Sequence, residues 1–327
     1  MLDRREFTRL LLTGAAGLAL PHPLRAGRGQ ESFFTWHEIA PGIRAAIGGG
    51  GNVLLLSDGG EALISDAKNL GLGHTLRREA EAFGARVTRA VNTHHHGDHT
   101  GGNIAFARDL PLLANSKAAG RIRAQADALV ASSGARIDRT IAQLREGGSA
   151  PAAVLADLER EREALAQASP DQIAPNETIE NERELRVGRR VVHLRHVGHG
   201  HTDNDLFLHL PDANVIHTGD LLFVGRHGFM DQNGGVDSEG WQRSVRAMIE
   251  LCDAETVVVS GHGAIVDREG LQRQYEYFGV LRDAVEAAVA EGRTKEEVQA
   301  LRPDALAEVE GDPSRNLGVV YDEVTSG

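Results

Sequence analysis

The chain has 327 residues, a formal net charge of −12 at pH 7 and one cysteine, Cys252. Apolar residues make up 41% and charged residues 25%, which is typical of a globular protein and excludes disordered, collagen-like and coiled-coil chains. The acidic charge disfavours nucleic acid and anionic membranes as partners. A single cysteine excludes intrachain disulfides and cysteine-rich metal sites, so any metal chemistry must depend on carboxylates and on the 15 histidines.

Residues 1–26 have the pattern of an export signal. Arg4 and Arg5 precede an apolar run of small residues at positions 10–20, which is too short to anchor the chain in a bilayer. The arginine pair resembles a twin-arginine signal, so we expect export of the folded chain to the periplasm. A frayed amphipathic N-terminus is the alternative.

Apolar patterns between turn residues predict short strands in two series. The first comprises strands at 33–39, 43–47, 53–57, 62–66 and 86–92 with a helix before the last, and the second comprises strands at 184–187, 191–196, 206–210, 215–217 and 256–260. Helices are predicted at 241–251 and 271–290. Each series runs from strands into a helix, which predicts an α/β fold of two similar layers packed face to face.

A segment between the two series, residues 116–170, is rich in Ala, Arg, Glu and Leu. It predicts two or three exposed helices broken at residues 147–151. The simplest interpretation is a solvated helical insertion, and the alternative is a cap that grips a substrate. We therefore expect one catalytic domain over 32–270 that contains this insertion, followed by a C-terminal helical extension over 271–327.

The segment after the predicted strand at 86–92 is the strongest functional signal. It carries His94, His95, His96, Asp98 and His99 within six positions, a concentration of polar groups that a bound metal ion would explain. Alternation along an extended backbone places His94 and His96 on one side and His95 on the other. Asp98 and His99 then lie across the turn, directed at a neighbouring site.

Three further candidate ligands follow predicted strands. His201 lies between two strands, Asp220 follows the strand at 215–217, and His262 follows the strand at 256–260. Loops at strand ends converge into sites, and the adjacent glycines allow a close approach of the backbone.

These motifs resemble those of the metallo-β-lactamase superfamily. His94, His96, Asp98 and His99 match its His-x-His-x-Asp-His pattern, and Asp66 matches an early acidic residue at a strand end. The remaining matches are to its later ligand positions, His201, Asp220 and His262. The resemblance implies an αββα sandwich that carries two metal ions, usually zinc, at one edge.

The resemblance also implies a role for each residue. His94, His96 and His201 would hold the first ion, Asp98, His99 and His262 would hold the second, and Asp220 would bridge them. Asp98 is also the candidate catalytic residue, and Asp66 would orient a histidine ligand from outside the ligand set. Zinc is the expected metal, two ions per chain, with iron and manganese as alternatives.

The sequence therefore predicts a metal-dependent hydrolase in which metal-bound hydroxide attacks an activated carbonyl of a small molecule, such as a lactone, thioester, ester or lactam. The best-known β-lactamases of the family carry a substrate-binding lysine where this chain has Phe223, so we expect an apolar wall there and poor β-lactam turnover. Alternatives are a true β-lactamase, a mononuclear-iron sulfur dioxygenase and a non-catalytic periplasmic metallo-accessory protein.

Overall fold

The computed structural model of the chain describes residues 23–24, 32–107, 109–148 and 151–326. Within these residues the fold is mixed α/β, with one sheet of eight strands, one of six strands, and eight α-helices. The predicted α/β class is confirmed. The predicted twin-arginine signal over residues 1–26 lies outside the described residues apart from a two-residue strand, β1 (Pro23–Leu24).

The described chain divides into two compact units. The first unit contains the described residues within 23–196 and 206–213, and the second contains those within 197–205 and 214–326.

The first unit contains the eight-stranded sheet, whose strands follow one another in chain order. Antiparallel pairing joins β1 to β5, and parallel pairing joins β5 to β8. The strands after β1 are β2 (Thr35–Ala40), β3 (Ile43–Ile47), β4 (Val53–Asp58), β5 (Glu61–Ser65), β6 (Arg86–Val91), β7 (Leu112–Asn115) and β8 (Glu177–Ile179). Since parallel strands end at the same edge of a sheet, the segments after β5 and β6 meet there.

Four helices accompany this sheet, namely α1 (Gly73–Glu81), α2 (Gly97–Thr100), α3 (Ser116–Glu146) and α4 (Ala152–Ala166). Helices α3 and α4 form the predicted insertion and pack against each other, and α4 also packs against α1. On α4, Val154, Leu158 and Leu165 are fully buried. The insertion thus packs into the first unit through this face of α4.

Two buried carboxylates of α4 fix it to α1. Glu161 accepts hydrogen bonds from the backbone N–H groups of Gly71 (2.7 Å) and His74 (3.0 Å), at the start of α1. Asp157 accepts one from Nε of Arg78 at 2.7 Å. A carboxylate at a helix N-terminus accepts hydrogen bonds from N–H groups that have no partner within the helix. Its negative charge also interacts favourably with the positive end of the helix dipole.

The first unit also contains an antiparallel meander of β9 (Glu182–Val187), β10 (Arg190–Arg195) and β11 (Phe207–Leu210). In the second unit, β12 (Val215–His217) pairs in parallel with β13 (Val257–Val259), which pairs antiparallel with β14 (Ile265–Val266). The second unit also has four helices, α5 (Ser238–Leu251), α6 (Arg268–Ala290), α7 (Lys295–Gln299) and α8 (Ser314–Ser326). Helix α6 packs against both α5 and α8.

Two helices of the second unit begin three residues before their predicted starts. Asp237 caps α5 by accepting a hydrogen bond from the N–H of Gly240 at 2.9 Å. Asp267 caps α6 by accepting one from the N–H of Glu269 at 3.0 Å. Apolar periodicity marks only the core-facing part of a helix, whereas the capping aspartate determines where the helix begins.

Strands β7, β8 and β14 were not predicted. They have four, three and two residues, too few for an alternating pattern to emerge. Among the described residues, no helix combines the length and the apolar character needed to span a bilayer.

Candidate metal centre

The histidine-rich loop follows β6 at the edge where the parallel strands end. The side chains of His94 and His99 are fully buried, and His95 is 6% exposed. The His94 ring centroid lies 4.4 Å from that of His99 and 4.7 Å from that of His96. The rings of His94, His96 and His99 thus form one cluster.

A short helix turns the second half of the motif back on the first. His96 has an extended backbone and precedes α2. Its carbonyl accepts hydrogen bonds from the N–H groups of His99 (3.1 Å) and Thr100 (3.0 Å). This single turn places Asp98 and His99 beside the strand end, which an extended backbone would not do.

Asp66 orients the His99 ring. Its Oδ2 lies 2.9 Å from Nδ1 of His99, and both side chains are buried. The same carboxylate accepts hydrogen bonds from the N–H of Thr93 at 2.7 Å and from its hydroxyl at 2.8 Å. A carboxylate on one ring nitrogen fixes the tautomer and directs the other nitrogen, Nε2, toward a metal.

The distance between His99 and Asp98 fits a shared ion. Nε2 of His99 lies 3.6 Å from Oδ2 of Asp98, which is too long for a hydrogen bond. Two donor atoms that each lie about 2.1 Å from one tetrahedral zinc ion are about 3.4 Å apart. The two atoms therefore have nearly the separation of neighbouring ligands.

The second unit brings its three predicted ligands together at one carboxylate oxygen. Oδ2 of Asp220 lies 3.4 Å from Nε2 of His201 and 3.3 Å from Nε2 of His262. Both distances match the separation of about 3.4 Å between ligands of a tetrahedral ion. Asp220 follows β12 and His262 follows β13, and these strands are parallel, so their carboxyl ends lie side by side.

Aromatic packing holds the two histidines of the second unit. The His201 ring lies 5.1 Å from Trp241, and Nε1 of Trp241 donates a hydrogen bond to the carbonyl of Leu221 at 2.9 Å. The Phe223 ring stacks on His262 with centroids 5.1 Å apart and planes inclined by 18°. Phe223 is 9% exposed, and whether it forms the predicted apolar wall stays a prediction.

One glycine in this cluster cannot carry a side chain. A Cβ added at Gly261 would overlap Oδ1 of Asp220 and the carbonyl of Gly219. The backbone beside His262 must therefore be glycine for Asp220 to keep its position.

A further buried carboxyl shapes the loop after His201. Asp205 accepts hydrogen bonds from the N–H of Thr202 at 2.9 Å and from its hydroxyl at 2.6 Å. Burial raises the pKa of Asp205 to about 8, with a smaller contribution from the negative charge of Asp220. These hydrogen bonds close the turn that presents His201.

Sequence reasoning missed an exposed aromatic side chain in the second unit. Phe229 is 44% exposed, and its ring lies 6.4 Å from that of His201. The guanidinium of Arg315 lies over the Phe229 ring, 4.5 Å from its centroid. Arg315 belongs to α8, so no local pattern could have connected it with His201.

The described residues include His and Asp side chains that could bind metal ions. The donors are imidazole nitrogens and carboxylate oxygens, and borderline-soft zinc accepts both kinds. Each pair of donor atoms, 3.6 Å apart for Asp98 and His99 and 3.3–3.4 Å apart for Asp220 and either histidine, has about the separation of two ligands of one ion. The residues present therefore fit the implied metal.

A family model described as the metallo-beta-lactamase superfamily matches residues 46–262. No curated protein gives a significant match. Two similar solved structures are metallo-beta-lactamases. DIM-1 is 19% identical with a TM-score of 0.52 over 75% of this chain and 97% of its own. The enzyme from Pontibacter korlensis is 15% identical with a TM-score of 0.54 over 75% of this chain and 99% of its own.

A third similar structure is the stereoselective inverting sec-alkylsulfatase Pisa1 from Pseudomonas sp. It is 16% identical with a TM-score of 0.63, and the match covers 98% of this chain and 60% of that protein. At such identities the structural likeness establishes the sandwich fold alone. The family model spans more than half of the chain and includes every predicted ligand position. The chain therefore belongs to the metallo-beta-lactamase superfamily.

Proposed function

We propose that the chain is a dinuclear zinc-dependent hydrolase of activated carbonyl compounds, such as lactones, thioesters, esters or lactams. The observation that carries this proposal is the position of Asp220. One of its oxygens lies at ligand-to-ligand distance from both His201 and His262. A carboxylate placed between two histidines in this way suits a bridge between two ions.

In this proposal seven side chains hold two metal ions. His94, His96 and His201 hold the first ion, and Asp220 also binds it. The second ion is held by Asp98, His99, His262 and Asp220. Zinc in such a site supplies hydroxide at neutral pH and polarises a carbonyl oxygen.

Asp98 is the proposed catalytic residue because of its exposure. Its side chain is 34% exposed, whereas those of His94, His99 and His201 are fully buried. A partly exposed carboxylate can accept a proton from water and pass it to the departing alcohol, thiol or amine. Hydrolysis then breaks the acyl bond, adds the oxygen of water to the acyl carbon and leaves the proton on the departing group.

Substrate preference follows from the surroundings of His201 and His262. The exposed ring of Phe229 offers an apolar surface, and the position of the β-lactamase lysine is taken by the nearly buried Phe223. Losing a charge-assisted hydrogen bond costs about 1.5–3 kcal/mol, which is roughly 10- to 100-fold in rate. We therefore propose that lactones, esters and thioesters are better substrates than penicillins and carbapenems.

The test combines metal analysis with steady-state kinetics on a panel of a lactone, an ester, a thioester, a carbapenem and an alkyl sulfate. The proposal expects two zinc ions per chain and the highest kcat/KM among the first three substrates. A single bound iron with thiol-oxidising activity would favour the sulfur dioxygenase. Carbapenem turnover above that of every ester would favour a true β-lactamase, and two bound ions without activity would favour the accessory protein.

We also propose export of the chain to the periplasm by the twin-arginine route, supported by Arg4 and Arg5 before the apolar run. Replacing both arginines by lysine should leave the protein in the cytoplasm in a fractionation experiment. A double variant that still reaches the periplasm would contradict this route.

A further inference from the structure

Lys68 is a fully buried lysine in the segment after β5, and it is one of three lysines in the chain. Its Nζ donates hydrogen bonds to the carbonyls of Ala46 at 2.8 Å and Gly51 at 2.7 Å. Ala46 lies near the end of β3, and Gly51 lies two residues before β4. The ammonium group therefore joins the two ends of the glycine loop at residues 48–51.

This glycine loop is the surface against which the second half of the histidine motif rests. The N–H of Gly51 donates a hydrogen bond to the carbonyl of Asp98 at 3.1 Å. A Cβ added at Gly51 would overlap the His99 ring, so the backbone of Gly51 lies directly against that ring. A displacement of Gly51 would therefore change the positions of both Asp98 and His99.

The turn that carries Lys68 is itself tied to the motif. The N–H of Ala67 donates a hydrogen bond to the carbonyl of His99 at 2.6 Å. Asp66 and Lys68, on either side of Ala67, have φ of 61° and 66°, a left-handed conformation that costs non-glycine residues about 1–3 kcal/mol each. A turn with this strain persists only where contacts with the surrounding structure stabilise it. Asp66 contacts the His99 ring at its edge while Lys68 holds the glycine loop beneath it.

Burying the ammonium group of Lys68 costs free energy, because the charge loses its contact with water. Burial lowers the pKa of Lys68 to about 7, while the carboxylates of Asp66 and Asp98 oppose that shift by favouring the charged form. The ring of Phe34 lies 5.2 Å from Nζ, which adds a favourable cation–π contact. An apolar side chain would carry no desolvation cost, so the retained charge agrees with a specific task for the two hydrogen bonds.

We propose that Lys68 is a positioning residue of the second metal site, holding the glycine loop in the place that aligns Asp98 and His99 as ligands. This inference rests on the proposed function for the existence of that site. The chain of contacts from Lys68 to Gly51 and on to Asp98 and His99 lies entirely within the first unit.

The test compares Lys68→Met with Lys117→Met in the full chain. Methionine keeps the length of the side chain and removes the donors, and Lys117 is an exposed lysine on α3. Two quantities are measured. The first is hydrogen exchange at the N–H of Gly51 in metal-free protein, and the second is the affinity for each of two cobalt ions, followed by the visible spectrum during titration.

In Lys68→Met we expect exchange at Gly51 to be at least about tenfold faster. The second cobalt ion should bind about 10- to 100-fold more weakly, as when a partner that orients a ligand is lost, while the first ion binds normally. Lys117→Met should match the wild type. Lys68→Arg should restore part of the affinity, because its guanidinium can also donate to two carbonyls.

Unchanged exchange at Gly51 and two unchanged cobalt affinities in a folded Lys68→Met protein would overturn the inference. Equal weakening of both ions, or failure of both Lys68→Met and Lys68→Gln to fold, would also overturn it, because Lys68 would then serve the stability of the whole unit. A wild-type protein that binds no second ion would instead refute the proposed function, and the Gly51 measurement would still report whether Lys68 holds the loop.

Discussion

The two units hold their candidate ligands by different means. In the first unit the ligands lie in one short loop after β6, and polar groups fix them, with Asp66 on His99 and Lys68 on the glycine loop. In the second unit the ligands come from three separate loops, and aromatic rings fix the histidines, with Trp241 beside His201 and Phe223 on His262.

This difference has consequences for how each unit should respond to mutation. Hydrogen bonds set the angle of a ring, so their loss should weaken metal binding more than stability. Aromatic packing contributes mainly to the core, so its loss should lower stability first. Substitutions in each unit can separate these two effects.

Asp220→Ala should have the largest effect, because it removes the one oxygen that lies beside both His201 and His262. We expect kcat to fall by more than about 100-fold, the upper range for loss of a group that merely orients a ligand, with loss of one ion per chain. Kinetics and elemental analysis measure both quantities, and Asp283→Ala, an exposed position on α6, is the control. Full activity with both ions bound would show that Asp220 is structural.

Asp66→Ala should weaken metal binding by about 10- to 100-fold, because the His99 ring loses the carboxylate at its Nδ1. Competition with a chelator gives the affinity. The matched control in the same unit is Asp109→Ala, whose side chain is 64% exposed. An unchanged affinity would mean that packing alone orients His99, so the units would not differ as described.

Two tryptophan substitutions test the comparison directly. Trp241→Phe leaves the carbonyl of Leu221 without its donor, and Trp36→Phe removes the donor to Oε2 of Glu79. Each should lower the free energy of unfolding by about 1–3 kcal/mol, as measured by chemical denaturation. Only Trp241→Phe should also weaken metal binding, because its ring contacts His201. Equal effects of the two substitutions on metal affinity would contradict this assignment.

The single cysteine gives the smallest predicted effect and reports on the second unit alone. Burial raises the pKa of Cys252 from 9.0 to about 11, so little thiolate exists at pH 8 and alkylation should be about 100-fold slower than for a free thiol. Any contribution of this thiol to the free energy of unfolding is therefore present below pH 9 and is lost as the pH rises toward 11. Fast modification of the folded protein would show that the second unit opens around Cys252.

Much of the candidate site could be predicted from sequence where the information is local. The motif at His94–His99 lies in one loop after β6. The alternating directions of its first side chains follow from the geometry of an extended backbone. His201, Asp220 and His262 were placed at strand ends, but only the resemblance to a family joined them. Their actual grouping depends on the parallel register of β12 and β13, which a single sequence does not specify.

The residues that sequence reasoning missed act through tertiary contacts. Lys68 is a charged residue with no periodic pattern, and its burial results from the glycine loop closing over it. Arg315 reaches Phe229 only because α8 returns to that loop. The stacking of Phe223 on His262 likewise joins residues that are far apart in the chain. In each case the decisive partner is distant in sequence.

The proposed function requires a dinuclear metal site, and cadmium NMR of the cadmium-loaded protein can reveal both ions. The wild type should give two resonances. Because His96 and His201 are proposed to share the first ion, His96→Ala and His201→Ala should shift or remove the same resonance and leave the other nearly unchanged. If the two substitutions affected different resonances, or if only one cadmium ion bound per chain, the shared dinuclear site would be refuted.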